Sequence, residues 1–171
     1  MFEITTRPSK RHVTSFFIIP ATIVYPGNIT LTLRADAAPK TVAHIAALVS
    51  DGLYNGCCFY RSDFVIQCGL QTAAGQNVNN PHPDLPVNET AQAQRVSNTR
   101  GTCAVAHWDV PDNGNSEWFI NLKTNAHLDE AYGGYCVFAQ VADDASFAVV
   151  DAIAQAILQG QKPEINSISL A

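Results

Sequence analysis

Short runs rich in β-branched and aromatic residues recur along this chain, and only two stretches carry helical spacing. The runs cover residues 21–25, 29–33, 59–67, 101–107, 115–122, 134–141 and 165–170. Pro26-Gly27-Asn28 is a hairpin signal between the first two. Many short strands with few helices to cover a sheet predict a mainly β fold closed into an antiparallel barrel. The first helical pattern places Val42, Ile45, Ala46 and Val49 on one face. Pro39 suits its first turn, Asp36 is available as a cap, and Gly52 is a natural stop. The second places Phe147, Val150, Ile153, Ala154 and Ile157 together and ends at Gln159-Gly160-Gln161. A length of 171 residues suits one domain with a real core. Residues 1–20 are expected to be an extension and residues 21–171 the folded body.

Composition narrows the class. Hydrophobic residues make up 47% and charged residues 15%, which excludes a disordered chain. The net charge of −5, with no long basic run, argues against a nucleic-acid partner. Arg7, Lys10, Arg11 and His12 read as a solvated tail. The five cysteines, Cys57, Cys58, Cys68, Cys103 and Cys136, are odd in number and irregularly spaced. They argue against a disulfide framework and for a reducing, cytoplasmic setting. No apolar run has the length of a membrane span, so no membrane partner is expected. The apolar run within residues 13–24 is broken by Pro20 and reads as an extra strand or packed arm.

Two strands carry side chains out of place for plain sheet. In residues 115–122, Trp118, Ile120 and Leu122 share one face, and Glu117, Phe119 and Asn121 the other. A large aromatic among polar neighbours fills a pocket or interface, or is covered by a second layer of core. In residues 59–67, Arg61, Val65 and Gln67 share parity, unless Ser62-Asp63 breaks the phase. Arg61 alone reads as a surface charge and Gln67 alone as a solvent-facing residue. Together with Phe119 they suggest one shallow site built from a guanidinium, an amide and apolar side chains. Residues 71–98 lack periodicity, hold Pro81, Pro83 and Pro86, and form a long loop of the kind that carries function. His82, His107 and His127 match no zinc spacing, and no CxxC accompanies them. Asp143-Asp144 and the pair Asp109 and Asp112 lack a calcium-loop spacing, and no Gly-x-Ser-x-Gly elbow is present. Neither a metal nor a cofactor is expected.

The order of motifs resembles the cyclophilins, which are peptidyl-prolyl cis-trans isomerases. Ala38-Pro39-Lys40-Thr41-Val42, Gly52-Leu53-Tyr54-Asn55-Gly56, Phe59-Tyr60-Arg61 and Phe64-Val65-Ile66-Gln67 come first. Asn98-Thr99-Arg100-Gly101-Thr102, Ala104-Val105-Ala106, residues 116–122, Leu128-Asp129 and Gly134-Tyr135-Cys136-Val137-Phe138 follow. The middle of the chain looks like the bacterial-type members, and the resemblance covers residues 21–170. It implies a closed eight-stranded antiparallel barrel capped by two α-helices. It also implies catalysis by Arg61, Gln67 and Phe119. The substrate-binding residues it implies are Phe64, Val65, Ala106, His107, His127, Leu128 and Tyr135. The implied partners are proline-containing peptides or unfolded proteins, met by a monomer. Some positions depart from the pattern. Tyr60 stands where His is common, Val65 where Met is usual, and His127 where the well-studied members have Trp, which implies weak cyclosporin binding. Only Ser62-Asp63 link Arg61 to Phe64, a shorter connection than the family carries. The alternative to an active enzyme is a weakly active or inactive scaffold that holds proline-containing segments.

Overall fold

A computed structural model describes residues 1–7, 27–91 and 94–170. Eight strands are β1 (Phe2–Arg7), β2 (Gly27–Leu33), β3 (Cys57–Ser62), β4 (Val65–Thr72), β5 (Thr102–Val105), β6 (Trp118–Asn121), β7 (Val137–Val141) and β8 (Glu164–Leu170). They close into one antiparallel barrel in the order β1-β2-β7-β5-β6-β4-β3-β8. Among the described residues, closure leaves no free sheet edge. Helices α1 (Pro39–Ser50) and α2 (Asp144–Leu158) lie on the barrel, as the periodicity predicts.

Two local readings change. The run at residues 59–67 is not one strand: Asp63 and Phe64 turn it into the β3-β4 hairpin. The expected extension also begins inside the barrel. Phe2–Arg7 pairs with β2 from Phe2↔Leu31 to Thr6↔Gly27, and with β8 from Phe2↔Leu170 to Arg7↔Glu164. Phe2 and Ile4 are accordingly buried. The strand expected at residues 21–25, and the arm expected within residues 13–24, lie outside the described residues.

The caps differ in an instructive way. Asp36 does not cap α1; its carboxylate pairs with Arg34 at 2.7 Å. The first turn is instead closed by Glu89, from the long loop, which accepts from the Thr41 amide at 2.7 Å and the Lys40 amide at 3.1 Å. A buried carboxylate at a helix N-terminus satisfies amides that the helix leaves unpaired. It also ties that loop to the helix. Helix α2 is capped conventionally, by Asp143 accepting from the Ser146 amide at 2.7 Å.

Trp118 sits at the centre of the barrel interior. It packs edge-on against Tyr54, Phe59 and Phe138 at centroid distances of 6.3, 6.0 and 6.1 Å. Ile120 points the same way, by the period of two. The opposite face of β6 is also buried, so both faces of this strand meet packing rather than water. The outward layer is a separate small cluster of Val65, Ala104, Phe119, Leu128 and Val137, edged by Phe64, Val96, Ala106 and Tyr135. All five cysteines are buried and unbridged. Burial pushes the Cys57 thiol up to about 11. Among the described residues, no helix is long and apolar enough to cross a membrane, and no His, Cys, Asp and Glu group of metal-holding size occurs.

Candidate active site

A groove of about 740 Å³ runs along the outer face of β3, β4 and β6. Its polar wall starts at the β3-β4 hairpin. The Asp63 amide donates to the Val65 carbonyl at 3.0 Å, and the Val65 amide donates to Asp63 Oδ1 at 3.1 Å. The other carboxylate oxygen, Oδ2, accepts from Arg61 Nε at 2.9 Å and lies 2.8 Å from Arg61 Nη2. One short side chain therefore closes the turn and holds the guanidinium. Arg61 Nη1 donates to Gln67 Oε1 at 3.0 Å, and the guanidinium stands 5.3 Å from the centroid of the Phe64 ring.

Arg61 and Gln67 meet because they are cross-strand partners in the hairpin, not because they share one strand. The pairing slips here: Phe59 faces Cys68 while Arg61 faces Gln67. Tyr60 is the extra residue of a β-bulge, which re-aims side chains beside a site. Neighbours Tyr60 and Arg61 consequently both line the groove instead of alternating. The Tyr60 hydroxyl donates to Glu117 Oε2, and Gln67 Nε2 donates to Tyr60 Oη at 2.8 Å and to Glu117 Oε2 at 3.2 Å. Burial, and then the hydrogen bond and charge of Glu117, drive the Tyr60 phenol far above its ordinary range. The result is a fixed chain of polar groups, from Asp63 through Arg61, Gln67 and Tyr60 to Glu117.

The apolar wall is Phe64, Val65, Ala106, Phe119, Leu128 and Tyr135. Tyr135 packs edge-on to Phe119 at 5.7 Å and stacks on His107 at 4.4 Å. The His107 ring nitrogens lie 2.6 Å from the Trp108 carbonyl and 2.9 Å from the Gly134 carbonyl, fixing the rim. Gly134 has φ +86, and a Cβ there would stand 2.5 Å from the Asp129 carbonyl, so the rim turn requires glycine. Beneath Leu128, Asp129 Oδ1 accepts from the Asn98 amide at 2.8 Å and from Asn98 Nδ2 at 2.9 Å; the Ser97 hydroxyl donates to Oδ2. Burial works against the charged form of Asp129, but these bonds outweigh it and hold the carboxyl below its ordinary range. Asn121, on the outward face with Phe119, bonds Asn98 and Thr102 and accepts from Asn125. That network covers the end of the cluster.

Of the residues singled out in the sequence, Arg61, Gln67, Phe119, Phe64, Val65, Ala106, His107, Leu128 and Tyr135 all line the groove. His127 does not; it is exposed, with its ring edge-on against Phe64 at 5.7 Å. Sequence reasoning missed Asp63, Tyr60 and Glu117 as site residues. A signal existed for Glu117, which shares the outward parity of Phe119. Gly69 on the neighbouring strand is a second signal, since an interior strand glycine often marks close approach.

The sequence and the fold both match a known family. The family model described as cyclophilin type peptidyl-prolyl cis-trans isomerase matches residues 18–170. Peptidyl-prolyl cis-trans isomerase A of Dickeya dadantii is 34% identical over 145 residues, covering 82% of this chain and 73% of its own length. A peptidyl-prolyl cis-trans isomerase of Streptomyces antibioticus is 37% identical over 134 residues, covering 74% and 77% respectively. Peptidyl-prolyl cis-trans isomerase B of Escherichia coli is 33% identical over 135 residues, covering 74% and 78%. The barrel superposes on a Cryptosporidium parvum cyclophilin-type isomerase, crystallised in the presence of the dipeptide Ala-Pro, with a TM-score of 0.63 at 18% identity. That alignment covers 85% of this chain and 93% of the other. The chain belongs to the cyclophilin-type peptidyl-prolyl cis-trans isomerase family. It is an enzyme of that activity.

Proposed function

We propose that the groove seats the ring of a substrate proline against Phe64, Val65, Phe119 and Leu128, and that Arg61 is the catalytic donor. Rotation about the X-Pro bond faces a barrier of about 18–20 kcal/mol set by amide resonance. Twisting the bond returns a lone pair to the prolyl nitrogen. A donor fixed near that nitrogen stabilises the twisted amide more than either planar isomer, which is the requirement for catalysis. No nucleophile or proton relay is needed. The observation that carries this reading is the Arg61 guanidinium, held by Asp63 and Gln67 beside the apolar wall. A guanidinium has five N–H groups. Those contacts leave Nη1 and Nη2 each with a second hydrogen for substrate. Gln67 orients both Arg61 and the peptide backbone, while His107 and Tyr135 shape the rim.

The same reading makes the protein a monomer acting on proline-containing peptides and unfolded chains in the cytoplasm. Five buried, unbridged thiols support the location. Weak cyclosporin binding belongs to the same reading, because His127 lies outside the groove lining.

The test is the cis/trans exchange rate of a short Ala-Pro peptide. Arg61→Ala is expected to cut kcat/KM by about 10²–10³-fold, the typical value of one aligned donor. Its thermal stability is expected to hold, since an exposed ion pair contributes little. Undiminished rates in a folded Arg61→Ala protein would remove Arg61 from its role. Cyclosporin added to the wild-type assay is expected to inhibit only weakly.

A further inference from the structure

Beyond the proline pocket, the groove continues along a wall of uncharged polar residues, Gln71, Asn77, Asn113, Asn115 and Ser116, with one carboxylate among them, Glu117. Its position is built rather than incidental. Oε2 is fixed by the Tyr60 hydroxyl and the Gln67 amide. Oε1 lies over Gly69, where a Cβ would sit 1.7 Å from it, so glycine clears the space the carboxylate fills. Among the described residues, Oε1 receives no hydrogen bond, and no Lys or Arg lies within ion-pair distance of Glu117. Arg61, the guanidinium on this groove, is already paired with Asp63.

We propose that Glu117 makes this enzyme selective for substrates carrying Lys or Arg about two residues from the isomerising bond. The proposal rests on the groove being the site of isomerisation. A carboxylate held in place and half-shielded from water attracts a cation without first having to be ordered, and repels an anion. Gln67 alone spans the gap from Arg61 to Glu117. That gap matches two residues of extended peptide, about 7 Å. A prolyl nitrogen at Arg61 thus brings a side chain two positions away to the half-buried Glu117 carboxylate, whose Oε1 accepts no hydrogen bond among the described residues.

The experiment uses short Ala-Pro peptides with Lys, norleucine or Glu placed two residues before or after the prolyl bond. It reads kcat/KM with wild type and Glu117→Gln at low and high salt. In wild type, the Lys peptide of one series is expected to exceed its Glu counterpart by about tenfold, with norleucine between, and the ratio should shrink as salt rises. In Glu117→Gln, which keeps the shape and an acceptor for Tyr60, the ratio should fall to near one. Equal rates across the three peptides in wild type, or a Lys preference that survives Glu117→Gln, would overturn the proposal. Calorimetric binding of the same peptides reads selectivity without turnover. An inactive protein that still binds Lys peptides best would uphold Glu117 and sink the assigned role of Arg61.

Discussion

Asp63 is the residue on which the shortened link between Arg61 and Phe64 depends. With so few residues to close the hairpin, the turn takes its closing hydrogen bond from Asp63 Oδ1, and the same side chain anchors Arg61 through Oδ2. A long, rotamer-rich side chain is thereby held in one geometry, and small misplacement of a catalytic group is costly. Asp63→Ala is expected to lower kcat by about tenfold with KM nearly unchanged. Asp63→Asn, which retains an acceptor for the Val65 amide, should fall between. Steady-state kinetics on an Ala-Pro peptide separates the two constants, and a rise in kcat on removing the carboxylate would show that Asp63 restrains the enzyme. The sequence exposed Arg61 and Gln67 as a pair, but by the wrong geometry: parity along one strand stood in for pairing across a hairpin. Tyr60 was invisible as a groove residue because alternation sends neighbours to opposite faces, and a bulge suspends that rule.

At the scale of elements, β6 was the most legible. Its alternation separated Trp118 and Ile120, which fill the barrel, from Phe119, which faces the groove. The two openings left by the sequence, pocket or second core layer, turn out to be compatible: Phe119 lines the groove and packs in a covered cluster. The helices were legible by period, but the α1 cap was not, because Glu89 comes from a loop far along the chain. The loop carrying Leu128 depends on Asp129 in its charged form. Asp129 has a folded pKa below its ordinary value. Its contribution is therefore present above the unfolded carboxyl range, near pH 4, and is lost as pH falls through the folded value. Peptide binding is expected to weaken on acidification before the barrel unfolds. Asp129→Asn should weaken it at neutral pH and flatten the acid loss. Peptide titrations monitored by the fluorescence of Trp108, an exposed residue on the groove rim, provide the measurement. Binding in that variant with an unchanged pH profile would place the sensitivity elsewhere.

For the whole molecule, closure is the property that local patterns could suggest but not complete. The recurring strand runs lead one to expect a barrel, yet the strand joining β2 to β8 is Phe2–Arg7, separated from β2 by residues 8–26. Long-range pairing of this kind leaves no local trace, and β1 lies ahead of the segment that the family model matches. Removing residues 1–7 is expected to strip two ladders at once and expose Ile29 and Leu31, leaving a chain that loses cooperative thermal unfolding. Circular dichroism against temperature checks this, and a truncated protein that melts sharply near the wild-type temperature would make β1 dispensable. The bulge at Tyr60 has its own consequence at this scale. Excising one residue there would let β3 and β4 pair in one register from Phe59 through Ser62, and it would also turn either the phenol or the guanidinium away from the substrate. Over this stretch a regular sheet and a working enzyme exclude one another, so the most ordinary-looking barrel among this chain's variants would be a silent one.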